Sequence, residues 1–309
     1  MAGNAQNTNC EVTLCGIPLP NPIIAASGTF GYGLEFEKLT DLAEIGALVT
    51  KGLSKEPIEG NPAPRLWEAH SGMINSVGLQ NVGVHAFVRD KLPKLRQLPV
   101  VVFANVFGYA SEDYLEVVRV LNDAEGIAAY ELNVSCPNTK HGGIFFSNDP
   151  DALKGLVSDV KRLASRPVIV KLSPNVARIE PLALAAEESG ADAVSLVNTF
   201  ISLAVDARTR RPRIGAGFGG LSGPAIKPIA LRMVYQAAQA IRIPVIGMGG
   251  IASGEDAAEF LVAGATAVEV GTASFWNPGA AAQVAKELSQ FLKEQGIARA
   301  RDLTGTLRF

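Results

Sequence analysis

Four residue types fall in a pattern that can carry chemistry. A lone cysteine, Cys136, stands in the stretch NVSCPNTKHGG (133–143). A free thiol has a pKa of about 8.5, so a small fraction is thiolate near neutrality and it can act as a base somewhat above pH 7. Two lysines, Lys51 and Lys171, and three asparagines, Asn105, Asn133 and Asn198, each close a short apolar run. Asparagine offers both a donor and an acceptor, the complement of a ring amide. Lysine offers a positive charge to an anion, or an amine for a Schiff base. Glycines close two further runs, in GMGGIASGEDA (247–257) and VGTASF (270–275). Such glycines let backbone N–H groups and a helix N-terminus cradle a phosphate.

Other signals are weaker. Cys10 and Cys15 have no neighbouring ligand pair, and the spacing of His70 and His141 to each other and to carboxylates suggests no metal site. GAGFGG (215–220) matches a dinucleotide fingerprint in form only. It closes no strand that opens a βαβ unit, and no acid lies about 20 residues on. It reads as a mobile glycine-rich loop. RTRRPR (208–213) reads as a solvated face that could also dock a partner.

These residues need a scaffold that brings them to one face. Eight β-branched-rich apolar runs span 23–26, 47–50, 100–105, 129–133, 168–172, 193–197, 245–249 and 267–271. They are apolar throughout, as parallel strands covered on both faces are. Helical periodicity fills the gaps. Leu153, Leu156, Val157, Val160 and Leu163 share a face behind Asp149 as N-cap and Pro150 at the first helical position. Val84, Phe87, Val88, Leu92 and Leu95 form another stripe. GADAVSLVNT (190–199) and GATAVEVGTA (264–273) echo each other, each a helix-stopping glycine followed by a strand. Eight alternating units predict a (β/α)8 TIM barrel, with a doubly wound open sheet as the alternative. Ser27, Lys51, Asn105, Asn133, Lys171, Asn198, Gly249, Gly250, Gly271 and Thr272 then lie at the C-terminal ends of strands, where barrels do chemistry. Long segments 51–83, 134–148 and 198–222 follow strands two, four and six on that face. Residues 11–22 read as a hairpin closing the barrel floor. Residues 1–10 read as a flexible tail, leaving 11–309 as a single catalytic domain.

Composition narrows the partners. The chain has 309 residues, 48% of them hydrophobic, which suits one large barrel. Its net charge of −2 gives no sign of a nucleic-acid partner. No apolar run approaches the roughly 18 residues of a membrane helix, and the first residues lack the basic start and apolar run of a signal peptide. A cytoplasmic protein with no membrane partner is the expectation. Three cysteines suit neither a disulfide framework nor the four thiolates of an iron–sulfur cluster.

Taken in order, NPIIAASGTFGYG (21–33), NSVGLQN (75–81), NVSCPN (133–138), VKLSPN (170–175) and VNT (197–199), with the glycines above, resemble the dihydroorotate dehydrogenases. The resemblance runs from about residue 11 to the end. A cysteine base and the lack of an N-terminal membrane helix resemble class 1. ASGTFGYG, GNPAPR and CPNTKHGG resemble subclass 1B, which passes electrons to NAD⁺ through a separate subunit carrying FAD and a 2Fe–2S cluster. Subclass 1A uses fumarate instead.

The resemblance implies oxidation of (S)-dihydroorotate to orotate in pyrimidine (UMP) biosynthesis. Cys136 would take the proton from C5, and the hydride from C6 would go to FMN. It implies one FMN per chain, contacted by Ser27, Lys51, Gly52, Asn105, Asn133, Lys171, Val197, Gly223, Gly249, Gly250, Gly271 and Thr272. Lys171 would lie beneath the flavin's pyrimidine edge. It implies substrate contacts from Lys51, Asn75, Ser76, Val77, Gly78, Leu79, Asn133, Asn138, Asn198 and Thr199. The FAD and 2Fe–2S subunit would complete a heterotetramer of two copies of each chain. Three alternatives stay open: a fumarate-linked 1A enzyme, another FMN barrel reductase of pyrimidines, and a phosphosugar aldolase or isomerase using Lys171.

Overall fold

The computed structural model describes residues 8–135 and 146–309. Short parallel strands need crossover connections, and amphipathic helices supply them while covering the outer face of the sheet. Strands β1 (Ile23–Ala25), β2 (Ala47–Val49), β3 (Val101–Val106), β4 (Ala129–Asn133), β5 (Val168–Lys171), β6 (Ala193–Leu196), β7 (Val245–Met248) and β8 (Ala267–Val270) pair in chain order. β8 pairs with β1 and closes the barrel, which excludes the open sheet. The eight runs predicted from sequence are the eight staves, seven of them shifted or trimmed by a residue and 129–133 unchanged.

The helix Pro150–Leu163 starts as its sequence dictates, with Asp149 accepting from the N–H groups of Asp151 and Ala152, and it buries Leu153, Leu156, Val157 and Val160. The stripe after β2 forms one helical stretch of three segments, Val84–Ala86, Phe87–Lys91 and Leu92–Leu95. The middle segment is a wider π-turn; Pro93, just beyond it, has no N–H to give the preceding turn. The glycine echo has a shared geometry. Gly190 and Gly264 take φ of 86° and 121°. The next residue then bonds back into the helix, Ala191 N to Ala186 O at 3.1 Å and Ala265 N to Phe260 O at 3.0 Å. The first unit departs from the alternating pattern. Between β1 and β2 there are only 3-10 turns at Leu34–Phe36 and Leu42–Glu44, because Gly28, Gly31 and Gly33 all hold positive φ.

At the floor, Val12–Leu14 pairs antiparallel with Ile17–Leu19. Cys15 (φ 52°) and Gly16 (φ 79°) make the left-handed pair that such a two-residue hairpin requires. The Cys15 thiol donates to the carbonyl of Asp192. Burial, reinforced by the Asp192 charge, pushes that thiol up to about 12, which leaves it unreactive. Asn9 bridges Arg299, so pairing starts within the stretch read as tail. No helix among the described residues is long and apolar enough to cross a membrane.

The loops after β2 and β6 meet above the barrel in a four-stranded antiparallel sheet. Its order is Phe200–Leu203, Phe218–Ser222, Gly72–Asn75, Leu66–Ala69. The glycine-rich run 215–220 is therefore not a loop throughout: Phe218–Ser222 is an inner strand of this sheet. A Cβ on Gly219 would lie 2.6 Å from Ile74 Cγ2, and one on Gly220 would lie 1.9 Å from Thr199 Oγ1. These glycines admit close neighbours, not mobility.

Candidate active site

Contacts between strands that are not neighbours in the barrel can be made only through its interior. Lys171 on β5 reaches Glu269 Oε2 on β8 at 3.5 Å, Glu131 Oε1 on β4 at 3.5 Å and Ser27 Oγ at 3.2 Å. Glu131 Oε1 also accepts from Asn105 Nδ2 on β3 at 2.6 Å, and Oε2 accepts from Ser195 Oγ on β6 at 2.8 Å. The result is a polar layer, with Glu131 0%, Glu269 1% and Lys171 5% exposed. Burial alone raises the Glu131 carboxyl, but the Lys171 charge and the donors around it hold it below the usual range. Burial and then the Glu131 charge push Glu269 well above that range. Burial lowers Lys171, and Glu131 and Glu269 more than reverse this. Lys171 is thus a held ammonium. A Schiff-base lysine must be a neutral amine, so this environment does not suit the aldolase alternative.

Sequence reasoning singled out Lys171, Asn105 and Ser27 but missed Glu131, Glu269 and Ser195. The signal was present. Glu131 in AYELN and Glu269 in AVEV each sit inside an apolar strand, two residues before a predicted site residue. Side chains alternate along a strand, so positions i and i+2 share a face.

Above this layer the strand ends are glycine-rich. Gly223, Gly249 and Gly250 have φ of 94°, 125° and 84°. A Cβ on Gly250 would lie 2.8 Å from Gly223 O, and one on Gly249 would lie 2.7 Å from Ala230 Cβ. Those glycines are required by the fold itself. Gly271 is different: its Cβ would come no closer than 3.4 Å to any protein atom. Among the described residues, the backbone N–H groups of Gly250, Gly271 and Thr272 donate to no protein acceptor. The helix Gly254–Val262 contributes less than its position suggests. Its entry N–H groups are taken, with Ala252 and Ser253 donating to Asp256 Oδ2 at 2.9 Å and Gly254 to Glu287 Oε2 at 2.8 Å. Donors for an anion therefore come from the strand ends and the 3-10 turn Thr272–Phe275.

Lys51 follows β2 and is anchored through its backbone N–H to Gly31 O at 2.8 Å. Its ammonium has no partner among the described residues, and burial, then the charge of Arg65, lower it. A half-buried cation with no counter-ion is suited to an anionic ligand group. Gly52 gives room for the Asn105 amide, whose Oδ1 would be 2.8 Å from a Cβ there. Val197 N donates to Met248 O at 3.0 Å, tying the end of β6 to β7.

The asparagines line the mouth. Asn198 Nδ2 donates to Asn133 Oδ1 at 3.4 Å, and Asn198 Oδ1 accepts from Thr199 N at 2.8 Å. Asn75 Nδ2 donates to Gly220 O across the upper sheet at 3.3 Å. The run after Asn75 is wound by a residue not singled out from sequence, Asn61. Asn61 Nδ2 donates to Ser76 Oγ at 2.9 Å, and Asn61 N donates to Val77 O at 3.0 Å. Gly78 and Leu79 take φ of 76° and 58°; for leucine this is unfavourable, and Asn81 Nδ2 holds the Leu79 carbonyl at 2.9 Å. Cys136, Asn138 and His141 lie outside the described residues.

The layer and the strand-end cradle fit a flavin mononucleotide: free N–H groups for a phosphate, and a cation with its counter-ions for the ring.

Comparison with known proteins agrees in family. The family model described as "Dihydroorotate dehydrogenase" matches residues 9–292. A protein of Solibacter usitatus (strain Ellin6076), provisionally named dihydroorotate dehydrogenase A (fumarate), is 72% identical over 96% of this chain and 98% of its own length. A Geobacter sulfurreducens protein named "Dihydroorotate dehydrogenase B (NAD(+)), catalytic subunit" is 51% identical over 98% of this chain and 99% of its own. In fold, the chain is similar to the crystal structure of DHODH from Eimeria tenella in complex with ferulenol, with a TM-score of 0.81 at 22% identity, covering 98% of this chain and 90% of that one. With a family match over most of its length and relatives at this identity, the chain belongs to the dihydroorotate dehydrogenase family.

Proposed function

We propose that the chain oxidises (S)-dihydroorotate to orotate using one FMN, as a soluble cytoplasmic enzyme of pyrimidine biosynthesis. The observation that carries this reading is the buried Lys171 layer beneath strand ends where, among the described residues, the N–H groups of Gly250, Gly271 and Thr272 have no acceptor. Bound FMN would accept the hydride from substrate C6. Cys136 would take the proton from C5. Asn75, Asn133, Asn138 and Asn198 would pair with the ring N–H and C=O groups of the substrate, with Ser76, Val77, Gly78, Leu79 and Thr199 framing it. Lys51 would meet negative charge shared between substrate and cofactor. Ser27, Gly52, Asn105, Lys171 and Val197 would receive the ring, and Gly223, Gly249, Gly250, Gly271 and Thr272 the phosphate.

We further propose that electrons leave to NAD⁺ through a partner subunit carrying FAD and a 2Fe–2S cluster, in a complex of two copies of each chain. Relatives at about half identity named as B-type, NAD(+) catalytic subunits support the acceptor and the existence of a partner subunit. Exposed Arg208, Arg210 and Arg211 beside exposed Ile201, Leu203 and Phe218 support a docking rim there. A second reading, fumarate as acceptor, is favoured by the name of the 72% identical relative.

The test is anaerobic mixing of the yellow protein with dihydroorotate, followed by turnover of the isolated chain with NAD⁺, fumarate or a dye. Flavin bleaching with dye turnover and little NAD⁺ reduction is expected. A flavin that stays oxidised refutes the activity. Efficient NAD⁺ reduction by the chain alone refutes the partner, and efficient fumarate reduction selects the second reading.

A further inference from the structure

The barrel interior places two carboxylates and one ammonium in a solvent-free layer, with Lys171 Nζ 3.5 Å from both Glu131 and Glu269. With both acids ionised, the layer would carry a net negative charge that no second cation among the described residues offsets. Two carboxylates sharing one site resist joint ionisation. Their surroundings tell the two apart. Glu131 accepts from Asn105 at 2.6 Å and from Ser195 at 2.8 Å, which suits an anion. Glu269 Oε1 has no donor among the described residues, and the in-register neighbours of Glu269 on β1 and β7 are Ile24 and Met248. An anionic oxygen without a donor against an apolar wall is costly. A carboxyl O–H on Glu269 has an acceptor, because its side chain lies in hydrogen-bonding contact with that of Glu131.

We propose that Glu269 is a neutral carboxylic acid that donates to Glu131, and that it is a positioning residue which leaves Lys171 with one counter-ion instead of two. The ammonium then keeps a positive field toward the strand ends above it. This rests on the reading of that face as a flavin site. A neutral layer favours negative charge on a ring above Lys171, and a net-negative layer opposes it. The charged groups facing Glu269 are Glu131 and Lys171; Ser27, Asn105 and Ser195 complete the layer without titrating. When Glu269 ionises at alkaline pH, its proton goes to solvent and no other bond changes.

The test reads the protonated carboxyl directly. In infrared spectra the carbonyl stretch of a carboxylic acid stands apart from those of carboxylates and amides. At neutral pH, flavin-free wild-type protein should show it, and Glu269→Gln, whose amide still donates to Glu131, should lose it while staying folded. Glu131→Gln should lose it too, because Glu269 must then ionise to become the counter-ion of Lys171. A spectrum unchanged by Glu269→Gln overturns the proposal, as does a band that persists in Glu131→Gln. The reduction potential of bound FMN gives a second reading. Wild type and Glu269→Gln should agree at neutral pH and part at alkaline pH, the wild type falling more steeply; parallel curves overturn the proposal. If no flavin binds, the proposed function fails while the infrared result still decides the state of Glu269.

Discussion

Removing the Lys171 ammonium isolates the cost of a buried carboxylate. In Lys171→Met, Glu131 keeps its donors Asn105 and Ser195 but loses its cation. Breaking a buried pair by deleting one partner typically costs about 3–5 kcal/mol. The variant can limit the loss by protonating Glu131. From an ordinary glutamate pKa of about 4.3, at about 1.36 kcal/mol per pH unit, that costs about 3.7 kcal/mol at pH 7 and about 1 kcal/mol at pH 5. The remaining donors trim both, so a deficit of about 2–4 kcal/mol at pH 7 should shrink to about 1 kcal/mol or less at pH 5. The sign follows from linkage. In the variant the folded pKa of Glu131 lies above its unfolded value, so stability is full below the unfolded pKa and is lost as pH rises toward the folded one. The assay is urea unfolding of flavin-free wild type and variant at both pH values, which keeps cofactor loss out of the comparison. Lys171→Met/Glu131→Gln, with no stranded charge, should be more stable at pH 7 than the single variant. A deficit that is equal at the two pH values, or a double variant no better than the single, would refute the reasoning.

Three further outcomes are expected. Gly271→Val should keep its circular dichroism and melting temperature but lose most bound FMN, since the added Cβ meets no protein atom closer than 3.4 Å; full flavin occupancy would rule out this phosphate site. Gly220→Ala should raise the KM for dihydroorotate by about ten- to a hundredfold with FMN content unchanged, because its Cβ displaces Thr199; an unchanged KM would remove Thr199 from the substrate site. Cys136→Ala should slow flavin reduction by about 10²–10⁴-fold, with Cys136→Ser partly recovering at alkaline pH; wild-type rates in the alanine variant would dismiss Cys136 as the base.

The staves were legible in the sequence because each is a local pattern: an apolar run, a stopping glycine such as Gly190 or Gly264, a cap such as Asp149. Lys171 and Asn105 were legible because polar residues at strand ends converge once the barrel is assumed. Glu131 and Glu269 were not, since their meaning depends on Lys171 reaching both across the interior, a distance no local pattern reports. Gly219 and Gly220 were misjudged for the same reason. Their tight neighbours are Ile74, Asn75 and Thr199, and Asn75 is 145 residues from Gly220 in the chain. The missing first helix was foreshadowed by the glycines of SGTFGYG, whose positive φ values break helical periodicity.

The sheet above the barrel joins loops from β2 and β6, which stand four strands apart around the closed barrel. A chain cut between β4 and β5 would give two halves, each carrying one part of that sheet. Gly72–Asn75 would stay on one fragment and Phe218–Ser222 on the other, so the ladder between them could form in neither alone. Each fragment would instead present an unpaired strand edge, the feature by which chains recognise one another or aggregate. The halves are thus built as complementary partners, and the four-stranded sheet exists only after they join. During synthesis, the N-terminal half holds an open edge until residue 222 has emerged, which makes the upper sheet a late event in folding.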